Sequence, residues 1–431
     1  MGEEPRGISS LKALVYGAGT LMGVGSSMIV SWLMYYYCPP PEAGLIALAP
    51  VFAMGVVILF GRFIDAISDP IIGWWSDRTV TRWGRRRPFI FFGFLAMLFS
   101  QILIWIPLVH QVSLINVLYA AVMDGIFWFG YTAAINPYLA LIPEIARNPN
   151  DRVKLTTFQA FFSQISLVIG GVIVPLLLAA IGFISTAVVL GAIGFAVMLP
   201  LLIVIKEKPP EDKKIATGMG IYRALLLTFK NRTFLLYLIP TAILFLSATM
   251  IQMEIPYAVN VLAGLNKKDV SLFYLPLIIT AIISLPFYKK LASKYGKKKL
   301  YLMAMTCFMI PAFLTAFIGI IPVSPRIMII GLGALAGVFV APLYIFPNAI
   351  IADITDIDEQ MTGYRREAIY FGSQGLITKT MAGLAGVLTG TLMWKLGYSP
   401  GNDLGIRASF ILAALVLIIA ALIFRKYPIE K

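Results

Sequence analysis

The sequence predicts an all-α membrane protein of twelve transmembrane helices in two pseudo-symmetric six-helix bundles. Three observations lead there. The 431 residues are 59% hydrophobic and 13% charged, with a mean hydropathy of +0.86. A soluble chain of this length needs more charge to cover its surface. Apolar runs of about 20 residues, the length that crosses a bilayer, recur from end to end. Positive charge is distributed unevenly between alternate loops.

The runs fall at 12–37, 44–76, 87–108, 113–145, 154–180, 184–205, 233–262, 269–292, 298–320, 326–352, 366–396 and 406–426. Segments longer than 30 residues are long enough to tilt or to project past the membrane. With both termini placed in the cytoplasm, five of the 35 Lys and Arg fall outside: Lys267, Lys268, Arg326, Lys395 and Arg407. Two more, Arg62 and Lys379, lie within helices. The rest fall inside, as the positive-inside rule requires. The expected location is therefore the plasma or inner membrane, with membrane lipids as partners. The net charge of +14 belongs to loops facing anionic headgroups, and no nucleic-acid partner is expected. The start is polar, and the first apolar run continues past 20 residues, which does not fit a cleavable signal. Met1-Gly2 is followed by Arg6 where a myristoylation motif wants Ser or Thr.

The stretch 206–232, from Lys206 to Arg232, is the longest polar break. It divides the chain into a bundle at 1–205, a cytoplasmic linker and a bundle at 233–431. An internal repeat supports this division. The loop after span two reads Arg82-Trp83-Gly84-Arg85-Arg86-Arg87, and the loop after span eight reads Lys294-Tyr295-Gly296-Lys297-Lys298-Lys299. The two lie about half the chain apart. Duplicated halves place a binding site between them near the midplane.

Six ionisable residues lie inside the spans: Arg62, Asp65, Asp69, Asp124, Glu254 and Lys379. Each costs about 2.5–3.5 kcal/mol at a helix centre, so such groups face an interior or a wet cavity. Asp65 and Asp69 are four apart and share one helix face. Their mutual repulsion favours uptake of a proton or of Na⁺. At the same repeat offset the second half has Leu277 and Ala281, so the fold does not require acids there. Lys379 lies about 20 Å into span eleven and wants an anionic partner, for which Asp65 or Asp69 is the expected choice. The bland alternative is a pair of acids salt-bridged only for packing. Asp124 and Glu254 stand as possible functional groups or as packing groups. Asp77, Arg78 and the Arg85–Arg87 run are read as boundary groups that stabilise helix packing.

Span two reads Arg62-Phe-Ile-Asp65-Ala-Ile-Ser-Asp69-Pro70-Ile-Ile-Gly73. Span four has Tyr131-Thr132 and Pro137 through Pro143, and span eleven has Glu367-Ala-Ile followed by Gln374 and Lys379. In these motifs the chain resembles the major facilitator superfamily, and within it the glycoside-pentoside-hexuronide:cation symporters typified by the melibiose permease. Gly84-Arg-Arg-Arg-Pro-Phe89 is also similar to sucrose transporters. The resemblance implies the major facilitator fold, Asp65 and Asp69 as the cation-binding pair, and Lys379, with Arg62, as the link between cation and substrate.

The melibiose permease grips its sugar with an Asp in span one, an Asp in span four and an Arg in span five. This chain has Gly23–Val24, Ile135 and Ala160 at those places. The remaining candidates for solute contact are Tyr16, Tyr131, Thr132, Asn136, Gln164 and Gln374. Vertebrate lysophosphatidylcholine symporters look similar in the span-two acids and the span-eleven Lys, so the motif does not by itself imply sugar. The expected function is Na⁺- or H⁺-coupled symport of a small organic solute, a sugar or glycoside, by alternating access. The alternatives are a coupled carrier of an amphipathic non-sugar solute and an uncoupled uniporter. No cofactor is expected beyond the coupling ion, and a monomer is expected. An enzyme would need a nucleophile–base pair or a metal cluster. The chain has one His110, two separated cysteines, Cys38 and Cys307, and no phosphate-binding G-x-x-x-x-G-K-[ST] loop.

Overall fold

The computed structural model describes residues 8–146, 148–205, 207, 228–362 and 367–428. Most of the expected linker at 206–232 lies outside the described residues. Within them the chain is helical, and no strand forms beyond an isolated bridge between Ser399 and Asn402.

Helix α1 (Ser10–Ala18) passes through a 3₁₀ turn at Gly19–Gly23 into α2 (Gly25–Tyr37). Then come α3 (Val51–Arg78), α4 (Arg87–Leu103), α5 (Leu114–Leu139), the short α6 (Ile142–Ile145), α7 (Pro149–Val168) and α8 (Val174–Val204). The second bundle holds α9 (Arg232–Tyr257), α10 (Ser271–Tyr295), α11 (Lys297–Thr315), α12 (Pro325–Thr362), α13 (Glu367–Leu396) and α14 (Leu404–Phe424). Helix starts are set locally. The side chains of Ser113, Asn148 and Asn231 accept hydrogen bonds from backbone N–H groups of the first turns of α5, α7 and α9, as N-caps do.

Nine helical stretches of the described residues are long and apolar enough to cross a membrane. One of them, Asn150–Val204, has 55 residues. At helical rise it is about 80 Å long, more than two bilayer cores. It turns at Gly182, whose φ of 77° and ψ of 179° break the helix. The loop expected between spans five and six is therefore a single glycine kink. Two shorter helices, α4 with 17 residues and α11 with 19, complete the twelve crossings. They end at Leu103 and Thr315, before the expected 108 and 320, whereas α12 runs on to Thr362, past the expected 352.

The repeated loops share a backbone feature. Gly84 has φ 110° and Gly296 has φ 79°, a region that favours glycine. Both loops are also tied down within their own half. Arg85 and Arg86 pair with Glu144, and Arg86 reaches Asp77 at 3.2 Å. Glu207 accepts backbone N–H bonds from Arg85, Arg86 and Arg87, capping α4. In the second half Lys297 pairs with Asp353.

The two bundles meet unevenly. At the end of the molecule opposite the termini they are closed. There Tyr35 donates to Asn260 at 3.2 Å, Tyr257 to the Cys38 carbonyl at 2.8 Å and Gln252 to Ser31 at 3.2 Å. Helices α3 and α13 touch through glycines, such that a Cβ on Gly55 would lie 2.4 Å from the Gly386 carbonyl oxygen. Toward the termini the same two helices diverge. Gly73 continues the face of Asp69, and Gly375 and Gly372 continue the face of Lys379. A Cβ on any of these three glycines would meet nothing within 4 Å.

Candidate functional site

Two helix faces build the site. On α3, residues 61, 65, 69 and 73 are four apart and form one column; on α5, residues 124, 128, 132 and 136 form another. The helices run in the same direction, so the columns meet rung by rung. Gly61 admits Asp124: a Cβ there would lie 1.9 Å from Asp124 Oδ2. One rung further, the Arg62 guanidinium stacks 3.6 Å from the Trp128 ring centre, a cation–π contact. Thr132 Oγ1 donates to Asp65 Oδ1 at 2.8 Å and lies 3.3 Å from Asp69 Oδ1. Asn136 Nδ2 donates to Asp69 Oδ1 at 2.9 Å.

Lys379 closes the site from α13. Its ammonium donates at 2.8 Å to Asp65 Oδ1 and to both oxygens of Asp69. This contact crosses the boundary between the bundles. Asp65 is 1% exposed, while Asp69 is 29% and Lys379 24% exposed, so the seat is buried on one side and open on the other. Arg62 reaches Asp65 Oδ2 only at 3.5 Å, the edge of hydrogen-bond distance. Asp65 and Asp69 thus present converging oxygens, with a hydroxyl and an amide fixing their orientation. The Lys379 ammonium group occupies the meeting point. Any coupling cation entering there competes with Lys379 for the same oxygens.

The other candidates are scattered. Tyr16 is 0% exposed. It stacks on Tyr138 at 4.8 Å and accepts that residue's hydroxyl on its carbonyl, so it presents no surface to a solute in this conformation. Tyr131 is half-buried, with its ring edge over Gly23. Gln374 accepts from the Tyr237 hydroxyl at 2.7 Å. Glu254 is fully buried in the second bundle beside Thr389 and Ser409, away from the seat. Asp124 is 1% exposed. Thr132 and Asn136, read as solute contacts from the sequence, hydrogen-bond to the acids. Their i,i+4 spacing from Asp124 and Trp128 was the available signal.

Gln164 lines a cavity of about 390 Å³, within the range of small-molecule sites. Gln164 and Ser163 of α7 and Gln252 of α9 form its polar part. Its other walls are mostly apolar and include Leu277, Ala281 and Phe308. Gln252 and Ser163 carried no sequence signal, because lone polar residues on apolar helices are common.

A family model described as MFS/sugar transport protein matches residues 15–431. The chain is 26% identical to an uncharacterized symporter of Synechocystis sp., covering 95% of this chain and 90% of that one. It is 23% identical to the isoprimeverose transporter of Lactiplantibacillus pentosus, over 86% and 77% of the two chains. Its fold is similar to the crystal structure of a mutant of the nucleoside transporter NupG, with a TM-score of 0.70, 12% identity, and 97% and 99% of the chains covered. At that identity the likeness concerns the fold alone. A match over nearly the whole length means that the chain belongs to the MFS/sugar transport protein family.

Proposed function

We propose that this transporter is a symporter in which Na⁺ or H⁺ enters a seat formed by Asp65 and Asp69 and drives the movement of a small organic solute. The observation that carries this reading is the Lys379 ammonium bridging both acids across the bundle boundary. A cation that displaces the ammonium breaks a contact between the halves, so its binding is coupled to their relative position. The distribution of positive charge argues for a cell membrane location with cytoplasmic termini. On that orientation the divergence of α3 and α13 opens the interface toward the cytoplasm. Rocking of the bundles would then expose the seat alternately to the two sides.

The solute we propose is a sugar or glycoside, consistent with the family and with the amides of Gln164 and Gln252. The apolar walls of the cavity favour a second reading, an amphipathic solute whose nonpolar part lies against Leu277, Ala281 and Phe308. A thermal-shift screen of purified protein with sugars and alkyl glycosides, with and without Na⁺, separates the two, because a ligand of the folded state raises its apparent stability. Uptake of the selected solute into proteoliposomes under an imposed Na⁺ or H⁺ gradient tests the coupling. Equal uptake with and without a gradient would refute symport.

A further inference from the structure

The seat alone is electrically balanced in this conformation. Asp65 and Asp69 supply two negative charges, and Lys379 and Arg62 supply two positive ones. Adding a monovalent cation to that set leaves an excess positive charge in a poorly solvated interface, which is costly. A further negative charge is needed close by.

Asp124 lies in the next rung of the column. It is 1% exposed. The Trp128 indole runs alongside, yet neither carboxylate oxygen accepts a hydrogen bond of good geometry from the described residues. A void of about 10 Å³, just enough to admit one water molecule, is lined by Asp124, Arg62 and Trp128, and by Thr249 of the opposite bundle. Its remaining walls, on α2, α3 and α9, are apolar. Asp65 and Tyr37 are the other titratable groups that feel its charge. Arg62 is the single base among the described residues that line this void. It rests on the Trp128 face between two acids, held by Asp65 at only 3.5 Å.

We propose that Asp124 is a positioning acid of the cation seat: it takes the Arg62 guanidinium from Asp65 when a cation enters, and its charge brings the cluster to neutrality with one monovalent cation bound. This rests on the symport reading above. Along the column the charges then alternate as Asp124, Arg62, Asp65, Lys379 and Asp69. Three acids and two bases leave one negative charge for the cation to neutralise. Gly61 is part of the device, since any side chain there would strike the Asp124 carboxylate.

The test is a set of charge-balance variants in purified protein. Na⁺ is titrated against choline at constant ionic strength, and protons are titrated without Na⁺, with binding read by thermal shift and by solute exchange. Asp124→Asn is expected to weaken cation binding by about tenfold or more, equivalent to about 1.4 kcal/mol. Arg62→Gln should tighten it. The double variant Arg62→Gln/Asp124→Asn should return it to near the wild-type value, which a merely structural role for Asp124 would not do. Wild-type cation affinity in folded Asp124→Asn protein, or a double variant as weak as Asp124→Asn, would overturn the proposal. Should Asp124→Asn fail to fold, Arg62→Gln alone decides: unchanged or weaker cation binding counts against it. A wild-type protein with no cation response would instead remove the symport reading itself.

Discussion

Spans two and eight, helices α3 and α10, occupy equivalent places in the two bundles and carry opposite chemistry. On α3 the repeat positions hold Asp65 and Asp69, ligated by Thr132, Asn136 and Lys379. On α10 they hold Leu277 and Ala281, which face the apolar walls of the cavity. The loops that follow them share a glycine of positive φ and an ion pair to a later helix of the same half. The two halves therefore share a backbone device and differ in chemistry. Helix α3 presents acids to the neighbouring bundle, and α10 presents Leu277 and Ala281. An intramembrane acid is costly, and at Asp65 and Asp69 the Lys379 ammonium offsets that cost.

The largest effect is expected where the acids are removed. Asp65→Asn and Asp69→Asn should each abolish gradient-driven accumulation, while exchange of solute down its own gradient survives better. Uphill uptake compared with equilibrium exchange, on protein matched for membrane abundance, reads this. Accumulation by both variants would make the acids a structural pair and the protein a uniporter.

Lys379→Ala comes next. It leaves two facing carboxylates without their bridge, and coupled uptake should fall by about tenfold or more. Lys395 lies at the end of α13 opposite the termini and has no ion pair among the described residues; Lys395→Ala should change stability by less than about 0.5 kcal/mol. Normal coupled uptake by well-expressed Lys379→Ala protein would count against the bridge as the coupling element.

Transferring the acid to the second bundle sharpens the contrast. Leu277→Asp puts a carboxylate on a mostly apolar cavity wall, with no lysine among the described residues that line it. It should lower apparent stability by about 1–3 kcal/mol, measured by thermal melt, and create no new Na⁺ dependence. A second Na⁺-dependent stabilisation would show that the backbone alone makes a seat.

The smallest effect concerns the uneven contact of α3 and α13. Gly55→Ala should loosen the end opposite the termini, because its Cβ meets backbone there, whereas Gly375→Ala should be nearly silent in this conformation. Cys38, buried beneath the Tyr257 hydroxyl at that end, reports the difference. Its reaction with a membrane-impermeant thiol reagent added from outside should accelerate several-fold in Gly55→Ala only. Equal rates in both variants would mean that the glycine contact does not hold the closure.

The sequence by itself determined the helices, their number and the shared face of Asp65 and Asp69. Helix length and apolar content are local properties imposed by the bilayer, and four-residue spacing places Asp65 and Asp69 on one face wherever the helix goes. The deep Lys379 and the lack of acids at Leu277 and Ala281 were legible for the same reason, since an unpaired charge in hydrocarbon needs a partner. Only the tertiary structure decided which partners meet. Thr132 and Asn136 read equally well as solute contacts until α5 was docked on α3 and put them against the acids. Tyr16 read as an accessible aromatic until Tyr138 covered it. The break between spans five and six looked like a loop, yet one glycine conformation sufficed. The closeness of Asp124 to Arg62 depends on Gly61, a missing side chain whose meaning exists only once a second helix lies across it. Such contacts join residues distant in the chain, and their energies depend on burial and approach distances that no local pattern encodes.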